Sequence, residues 1–267
     1  MRKSVLTLSV AAALATPGLA AAQAAAPAAA PASPHTITGN VGLVSEYRFR
    51  GIDQTFGEPA LQGGFDYSHA SGIYLGNWNS NVNQGAGFPG GNLEMDFYGG
   101  WKKTFGDFGL DIGAIYYYYP GTDASFFTNN GKTGNGKVDN KEVYIGGSWK
   151  FLSLKYFYSV DDYFSIPDSK GSNYIDLSGT FDLGSGWGVN AHYGMLKFKN
   201  VTDGDYNDWK LGVTKDIGGY VFGASYVDTD AKGDCGVGQL YCFGNGIGTK
   251  TKDAGRSTVV LSVSKTF

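Results

Sequence analysis

The last twelve residues, Arg256-Ser-Thr-Val-Val-Leu-Ser-Val-Ser-Lys-Thr-Phe267, show a strict two-residue alternation. One alternate set is mostly apolar: Val259, Leu261, Val263, Lys265 and Phe267. The other set is mostly polar: Thr258, Val260, Ser262, Ser264 and Thr266. Because successive side chains of a strand point to opposite faces, this pattern predicts a β-strand with one apolar and one polar face.

Similar alternation recurs along the chain and predicts twelve strands in all. They cover residues 36–49, 59–70, 72–80, 92–104, 108–119, 139–150, 152–163, 171–182, 187–198, 206–215, 220–230 and 256–267. Short links, such as Ser71-Gly72 and Gly184-Ser-Gly186, alternate with long links at 50–58, 81–91, 120–138, 164–170, 199–205 and 231–255. Alternating short turns and long loops are typical of outer-membrane barrels.

The length of the runs separates a membrane barrel from a soluble sandwich. A tilted strand needs about 9 to 11 residues to cross a bilayer. Strands of soluble sandwiches are usually shorter, about 5 or 6 residues. We therefore predict an all-β fold, a transmembrane antiparallel up-and-down barrel of 12 strands. Since lipid cannot satisfy an open sheet edge, the strand at 256–267 should pair with the strand at 36–49.

The first residues resemble an export signal. Met1-Arg2-Lys3 precedes an apolar run from Val5 to Ala15, and small residues follow at Ala20-Ala21-Ala22. This predicts a signal peptide over 1–22, an Ala/Pro-rich linker over 23–35 and the barrel over 36–267. The expected location is the bacterial outer membrane, and the bilayer is an expected partner.

Composition excludes some classes of protein. Beyond the leader no run of 18 apolar residues occurs, so the sequence predicts no membrane-spanning helix. Without Arg2 and Lys3 the chain has 19 basic against 24 acidic residues, which argues against nucleic acid as a partner. The 42 Gly and the 17 Phe, 18 Tyr and 5 Trp suit a sheet protein with tight turns and aromatic belts.

Several stretches resemble a known family. Ser45-Glu-Tyr-Arg-Phe-Arg-Gly51 and Pro59-Ala-Leu-Gln-Gly-Gly-Phe-Asp-Tyr-Ser-His69 look like the opening of the TorF family of proteobacterial putative porins. The resemblance implies an outer-membrane barrel and brings no agreed substrate or functional residues. The terminal Phe267 resembles the signal read by the outer-membrane assembly machinery, which is therefore another expected partner.

Charged and polar residues on the polar faces are the candidate pore lining. They are Glu46, Arg48, Arg50, Gln62, Asp66, Asp96, Lys102, Asp111, Glu142, Lys150, Lys155, Asp176, His192 and Lys210, with Asn190 on the same face. So many charges would be costly in a dry interior, so the lumen should hold water. We predict a channel for passive or weakly selective diffusion of small hydrophilic solutes. A non-conducting structural or adhesin barrel is the alternative, favoured if long loops fold inward.

Three features have two interpretations each. Glu46, Arg48 and Arg50 share one face and could form a charge ladder across the lumen or a salt-bridged structural network. Tyr116 and Tyr118 fit an interfacial belt or, less well, carbohydrate stacking. The Asp- and Asn-rich loop Gly121 to Asp139 fits a solvated loop better than a calcium site, because its spacing misses the calcium-loop pattern.

The remaining motifs predict no catalytic chemistry. Cys235 and Cys242 lack metal-ligand or CxxC spacing, so a disulfide within one loop is expected. An outer-membrane hydrolase would need a His set against Ser or Asp, and only His35, His69 and His192 exist. No Gly-x-Ser-x-Gly element occurs, so we predict a non-enzyme with no catalytic residues, cofactor or metal.

Overall fold

The structure, a computed structural model, describes residues 33–246 and 249–267. The predicted signal peptide (1–22) and most of the predicted linker lie outside these residues. The twelve wall strands are β1 (His35–Val44), β2 (Ala60–His69), β3 (Ile73–Asn81), β4 (Leu93–Phe105), β5 (Phe108–Tyr118), β6 (Asp139–Trp149), β7 (Leu152–Ser159), β8 (Asn173–Gly184), β9 (Trp187–Lys197), β10 (Tyr206–Ile217), β11 (Tyr220–Thr229) and β12 (Thr258–Thr266). They form a closed antiparallel barrel, as predicted.

Closure joins the two ends of the described chain. β12 pairs with β11 on one side and with β1 on the other, from Asn40 opposite Thr266 to Val44 opposite Ser262. β1 in turn pairs with β2 along its whole length. Every wall strand therefore has two hydrogen-bonded neighbours, and the wall has no open edge.

The connections alternate in length as the sequence predicts. Five turns of two or three residues join strand pairs at one end, which we call the turn end. The other end carries six long loops: L1 (45–59), L2 (82–92), L3 (119–138), L4 (160–172), L5 (198–205) and L6 (230–257). The described parts of the loops contain three short two-stranded ribbons and two one-turn 3-10 helices, Ala124–Phe126 and Tyr163–Ser165. Among the described residues, no helix has the length and apolar character needed to cross a membrane.

The first strand is shorter than predicted. It ends at Val44 rather than at residue 49, because Val44 pairs with Ala60, the first residue of β2, and the chain between them leaves the wall as L1. Glu46, Arg48 and Arg50 therefore belong to a loop and not to a wall strand.

The outer face of the barrel is an apolar belt. Its members include Leu61, Phe65, Leu75, Ile112, Ile145, Leu177, Leu211 and Leu261, which are all exposed. β3 is the exception, since Asn77 and Asn79 occupy outward positions. Their amides bond to each other and to the carbonyls of Asp96 and Gly63, which satisfies the donors locally.

Large aromatic side chains fill part of the interior. Their close approach to neighbouring strands explains why several strand positions are glycine. The ring of Tyr98 lies where a Cβ on Gly76 would be, and the hydroxyl end of Tyr144 does the same at Gly113. Gly in a strand often marks a close approach of this kind. Each tyrosine thus packs closely against the backbone of a neighbouring strand.

The prediction that the belt contacts acyl chains can be tested on β10. Leu211 lies midway along the strand and Ile217 at its turn end, and their side chains are 60% and 59% exposed. Leu211→Arg should lower the free energy of unfolding by about 2–4 kcal/mol in phospholipid vesicles, and Ile217→Arg by about 0–1 kcal/mol, because the cost depends on depth. Equal effects at the two positions, measured by urea unfolding, would contradict a lipid-facing belt.

Candidate functional site

L1 folds into the barrel interior. Its side chains are buried although the segment lies outside the wall: Tyr47 is 3% exposed, and Asp53 and Thr55 are 2% exposed each. Arg48–Phe49 and Ile52–Asp53 form a short ribbon, and Gly51 at its tip has φ +79°. A Cβ at Gly51 would overlap Thr229 and Asp208, so the tip presses against β10 and β11. L1 is therefore a plug at the loop end of the lumen.

Arg50 anchors the plug to the opposite wall. Its Nη1 and Nη2 donate to Oε1 and Oε2 of Glu142 on β6, at 2.9 and 2.7 Å. Nη1 also donates to the Tyr163 hydroxyl at 3.0 Å, and the guanidinium lies 4.2 Å from the ring centroid of Tyr174. Tyr206 donates to the Arg50 carbonyl at 2.9 Å. This bidentate pair is geometrically the most specific contact between L1 and the wall.

A second charged cluster ties L1 to L6. Arg256 donates to both carboxylate oxygens of Glu46, at 2.9 and 3.0 Å, and to Asp53 at 2.9 Å. Arg48 also contacts Glu46, and its Nη1 donates to the carbonyls of Gly51, Ala254 and Arg256. Glu46, Arg48 and Arg50 thus make the contacts of a salt-bridged network, located on a plug rather than on the wall.

Burial and pairing oppose each other in this network. Burial is the largest single influence and favours neutral Arg50, but the Glu142 carboxylate together with Tyr163 and Tyr117 outweighs it, so the pKa of Arg50 is raised above its usual range. Burial raises the pKa of Glu46, while Arg48 and Arg256 partly counteract that rise. Arg50 therefore stays charged, and its loss would leave Glu142 without a counterion.

The aromatic side of L1 packs against β3, β4 and β5. The Tyr47 ring lies 5.5 Å from that of Trp78, and the Phe49 ring lies 5.4 Å from that of Tyr117. Tyr47 also donates to Glu94 at 3.2 Å. These contacts fill one side of the lumen with rings.

The two sides of the interior wall differ in bulk. From β3 to β8 the inward positions carry Tyr74, Trp78, Tyr98, Ile115, Tyr117, Tyr144, Lys155, Phe157 and Tyr174. From β9 through β12 to β1 they carry mainly small residues: Gly188, Gly194, Gly212, Thr214, Gly223, Ser225, Ser262, Ser264 and Gly42. A cavity of about 140 Å³ lies beneath L1 and is lined in part by this second side, which we call the small-residue wall.

A polar cluster on β8, β9 and β10 faces this cavity. His192 Nε2 lies 2.8 Å from Asp208 Oδ1, and Nδ1 lies 3.4 Å from Asp176 Oδ2. Tyr174 donates to the second oxygen of Asp208 at 2.7 Å, and Ser178 donates to Asp176 at 2.5 Å. Asp208 therefore accepts hydrogen bonds from two neighbours, whereas Asp176 accepts one from Ser178 and lies within ion-pair distance of His192.

This cluster contains Ser, His and Asp but is not arranged as a catalytic triad. Ser178 Oγ is 3.1 Å from His192 Nδ1, yet its hydroxyl donates to Asp176 at the shorter distance of 2.5 Å. Activation of a serine requires the His to accept that proton. The geometry therefore gives no support to a nucleophilic serine at this position.

The predicted pore-lining residues occupy three kinds of position. Ten lie on inward-facing wall positions: Gln62, Asp66, Asp96, Lys102, Asp111, Glu142, Lys155, Asp176, His192 and Lys210. Glu46, Arg48 and Arg50 lie on L1. The prediction for Lys150 is wrong, since Lys150 lies in the exposed turn after β6, with φ 53° and its ammonium against the Trp149 ring. Whether the other positions line a conducting path stays a prediction.

Sequence reasoning missed several interior polar residues. Asp208 shares a face with Lys210, and Glu94 shares a face with Asp96, so the two-residue period could have identified both. Asn140, Ser178 and Tyr174 follow the same rule. No local pattern in the sequence indicates that L1 folds into the barrel interior.

The other predicted features fall on the loops and the rim. Cys235 and Cys242 form a disulfide within L6, with Cα atoms 5.0 Å apart. Tyr116 and Tyr118 stack on the outer face at the end of β5, 5.8 Å between centroids. In L3, Asp123 accepts from the Ser125 amide and begins a 3-10 helix. No group of three or more His, Cys, Asp or Glu within residues 33–246 and 249–267 could hold a metal ion.

The fold and its interior define a class: a closed twelve-stranded antiparallel barrel with an apolar outer belt, a polar interior and an inserted loop. Residues 28–267 match the model of a family described as a bacterial protein of unknown function, Gcw_chp, and the chain belongs to that family. The description of the matched family does not include the name TorF, so the similarity to the TorF family stays a resemblance. Comparison with curated proteins gives no match.

Solved structures of outer-membrane barrels are weakly similar. The KdgM porin aligns over 86% of this chain and 97% of its own, with 7% identity and a TM-score of 0.48. The outer-membrane expressed OmpT of Vibrio cholerae aligns over 89% and 99%, with 12% identity and a TM-score of 0.42. OccAB4 of Acinetobacter baumannii aligns over 86% and 62%, with 11% identity and a TM-score of 0.39. At this level of similarity the comparisons show the fold alone.

The Arg50–Glu142 pair provides a test of how the plug is held. Arg50→Met should destabilise the protein by about 3–5 kcal/mol, because it leaves a buried carboxylate unpaired. The double variant Arg50→Met, Glu142→Met should recover much of that loss, which urea unfolding in detergent would measure. Lys232→Met, which removes an exposed ion pair with Asp203, is the control and should change little. Additive effects of the two substitutions would contradict the pairing.

Proposed function

We propose that the protein is an outer-membrane channel for small hydrophilic solutes, narrowed at its loop end by L1. The observation that carries the proposal is the inward set of charged and polar side chains, ten of which lie on the wall between the turn end and L1: nine titratable side chains and Gln62. Charges in such number are stable in a barrel interior only when paired or hydrated. A path for hydrophilic solutes through the barrel requires a hydrated interior.

The solute path proposed here follows the small-residue wall. Ser225 and Ser262 leave space beside the rings that fill the opposite side, and the cavity beneath L1 lies against them. Twelve strands lie between the eight that side chains fill and the sixteen or more that leave an open pore. Because the large side chains lie mostly on the side from β3 to β8, the free space in the interior lies along the small-residue wall.

The outer membrane is the proposed location because of the outer face. Exposing the apolar side chains of the belt to water would be costly in free energy. A sheet that spans a bilayer has to close, because lipid cannot pair with the backbone groups of an open edge. β12 carries the alternating pattern that ends in Phe267, which supports assembly by the outer-membrane machinery. A phospholipid bilayer is thus the proposed surroundings of the barrel.

A non-conducting structural barrel is the second candidate, and L1 itself favours it. The plug is packed against the barrel interior, since Tyr47, Arg50 and Asp53 are all buried. If L1 never moves and leaves no continuous water path, the barrel is sealed. Conductance distinguishes the two candidates.

Removal of the plug should increase conductance. Since Val44 and Ala60 are paired, a two- to four-residue Gly-Ser turn can replace residues 46–57 without moving the wall. In planar bilayers, the full-length protein should give small current steps and the shortened protein larger ones, because the charged interior is then open to both sides.

The matched control removes the tip of L3, residues 128–133, which is largely exposed and forms a separate two-stranded ribbon outside the barrel sheet. Its current steps should equal those of the full-length protein. If neither the full-length nor the L1-shortened protein gives current steps, the channel proposal fails and the sealed barrel replaces it.

Cysteine labelling tests the course of the solute path. Ser225→Cys should react with a charged methanethiosulfonate reagent and lower the conductance when modified, since the added group narrows the path. Ser159→Cys is the control, because Ser159 is inward-facing on β7 and fully buried, where its hydroxyl donates to Asn140. Faster labelling at 159 than at 225 would contradict a path along the small-residue wall.

A further inference from the structure

Four lysines lie on the outer face of the barrel near its turn end, and we call them the turn-end lysines. They are Lys103 on β4, Lys150 in the turn after β6, Lys215 on β10 and Lys265 on β12. Lys215 lies opposite Phe222 and Lys265 lies opposite Tyr220, and both rings are exposed on the outer face. Because the four positions belong to well-separated strands, the turn-end lysines are distributed around the circumference of the barrel.

Each turn-end lysine lies over an aromatic ring of the outer face. The distances from ammonium to ring centroid are 5.7 Å for Lys103 and Phe105, 4.9 Å for Lys150 and Trp149, 4.8 Å for Lys215 and Trp187, and 3.9 Å for Lys265 and Tyr220. The four rings are about half exposed, between 44% and 55%. The apolar stem of each lysine can therefore follow a ring while the ammonium stays at the edge of the apolar belt.

The turn-end lysines have no carboxylate partner. In the part of the chain that the structure describes, none of them has a carboxylate oxygen within 4.0 Å. Lys215 donates to the Ser185 carbonyl at 2.7 Å, which uses one of its three N–H groups. Asp182 and Asp216 belong to the same end of the barrel, but they occupy inward positions and accept hydrogen bonds from turn amides.

Two outward lysines near the loop end are arranged differently. Lys141 on β6 lies 3.0 Å from Asp161, and Lys197 on β9 lies 2.8 Å from Asp205. Lys141 also lies over a ring, that of Tyr116, at 5.7 Å. The feature that distinguishes the turn-end lysines is therefore the lack of a carboxylate partner and not the contact with a ring.

The depth of the turn-end lysines matches the position of lipid headgroups in the proposed bilayer. Lys215 lies four residues toward the turn end from Leu211, the residue midway along β10, which is about 13 Å along the strand. Strand tilt reduces this to about 10 Å along the membrane normal. The hydrocarbon core extends about 15 Å from its centre, and the long flexible stem of a lysine covers much of the remaining distance.

We propose that the turn-end lysines bind the phosphate groups of anionic phospholipids in the leaflet that surrounds the turn end. Tyr and Trp rings lie at the headgroup level of membrane proteins, and a lysine near an anionic membrane surface strengthens the attraction about fivefold. A zwitterionic headgroup carries its own cation and gains less from an unpaired ammonium. The inference rests on the proposed bilayer location and adds the class of lipid that the turn end prefers.

Tryptophan quenching by brominated phospholipids tests this site in vesicles that contain the full-length chain. Trp149 and Trp187 lie beneath Lys150 and Lys215, so brominated lipids held by these lysines quench their fluorescence. The vesicles contain equal amounts of phosphatidylglycerol and phosphatidylcholine, with one lipid brominated at a time. Phosphatidylglycerol should bind at least threefold more strongly than phosphatidylcholine, and added salt should reduce this preference.

The double variant Lys150→Gln, Lys215→Gln should lower the preference at least threefold. The double variant Lys150→Arg, Lys215→Arg should keep it, because the charges remain. A matched pair on β4 separates the two faces at one depth. Lys103→Gln should lower the preference, whereas Lys102→Gln should leave it unchanged, since Lys102 faces inward against the Tyr74 ring.

Equal quenching by the two brominated lipids would overturn the site, as would an unchanged preference in Lys150→Gln, Lys215→Gln or an equal fall in Lys102→Gln and Lys103→Gln. Quenching by neither lipid would mean that the barrel does not insert, and it would overturn the proposed bilayer location together with this site. A preference for phosphatidylglycerol in a protein without conductance would overturn the channel and support the site.

Discussion

The pairing of β1 with β12 is the constraint on which the rest of this structure depends. An unpaired strand edge in hydrocarbon leaves a row of amide and carbonyl groups without partners, at several kcal/mol each. In the proposed bilayer, closure would remove that cost. Closure also fixes which side chains point inward, because a slip of one residue would reverse both faces of a strand. The register Asn40 to Thr266 through Val44 to Ser262 therefore determines the belt and the lumen together.

Inside the closed wall, the charged side chains are stabilised by pairing with one another. Arg50 and Glu142 pair with bidentate geometry, Lys155 pairs with Asp111, and His192 bridges two carboxylates. A buried ion pair is not by itself a large source of stability. Here the Arg50–Glu142 pair positions L1 by linking the plug to β6. The plug then divides the interior into a ring-filled side and a side with free space.

The sequence was sufficient for the wall but not for the plug. Alternation at a period of two, with short and long links in turn, located all twelve strands, and the two-residue rule located inward residues such as Asp176 and Lys155. The same rule placed Glu46, Arg48 and Arg50 correctly on one face of the chain but wrongly on a strand, because the alternation continues past Val44. Where pairing stops depends on the register between β1 and β2, in which Val44 lies opposite Ala60, and the local pattern does not encode register.

Hydrogen–deuterium exchange of the intact protein in detergent tests most directly that L1 lies packed inside the barrel. The amides of Asp53 and Gln54 donate to the carbonyls of Ala254 and Tyr47, at 2.9 Å each, within the buried segment. They should exchange far more slowly than the amides of the exposed residues Thr202 and Asp203 in L5. Exchange of the L1 amides as fast as that of L5 would mean that the loop is not a plug and that the barrel is open at both ends.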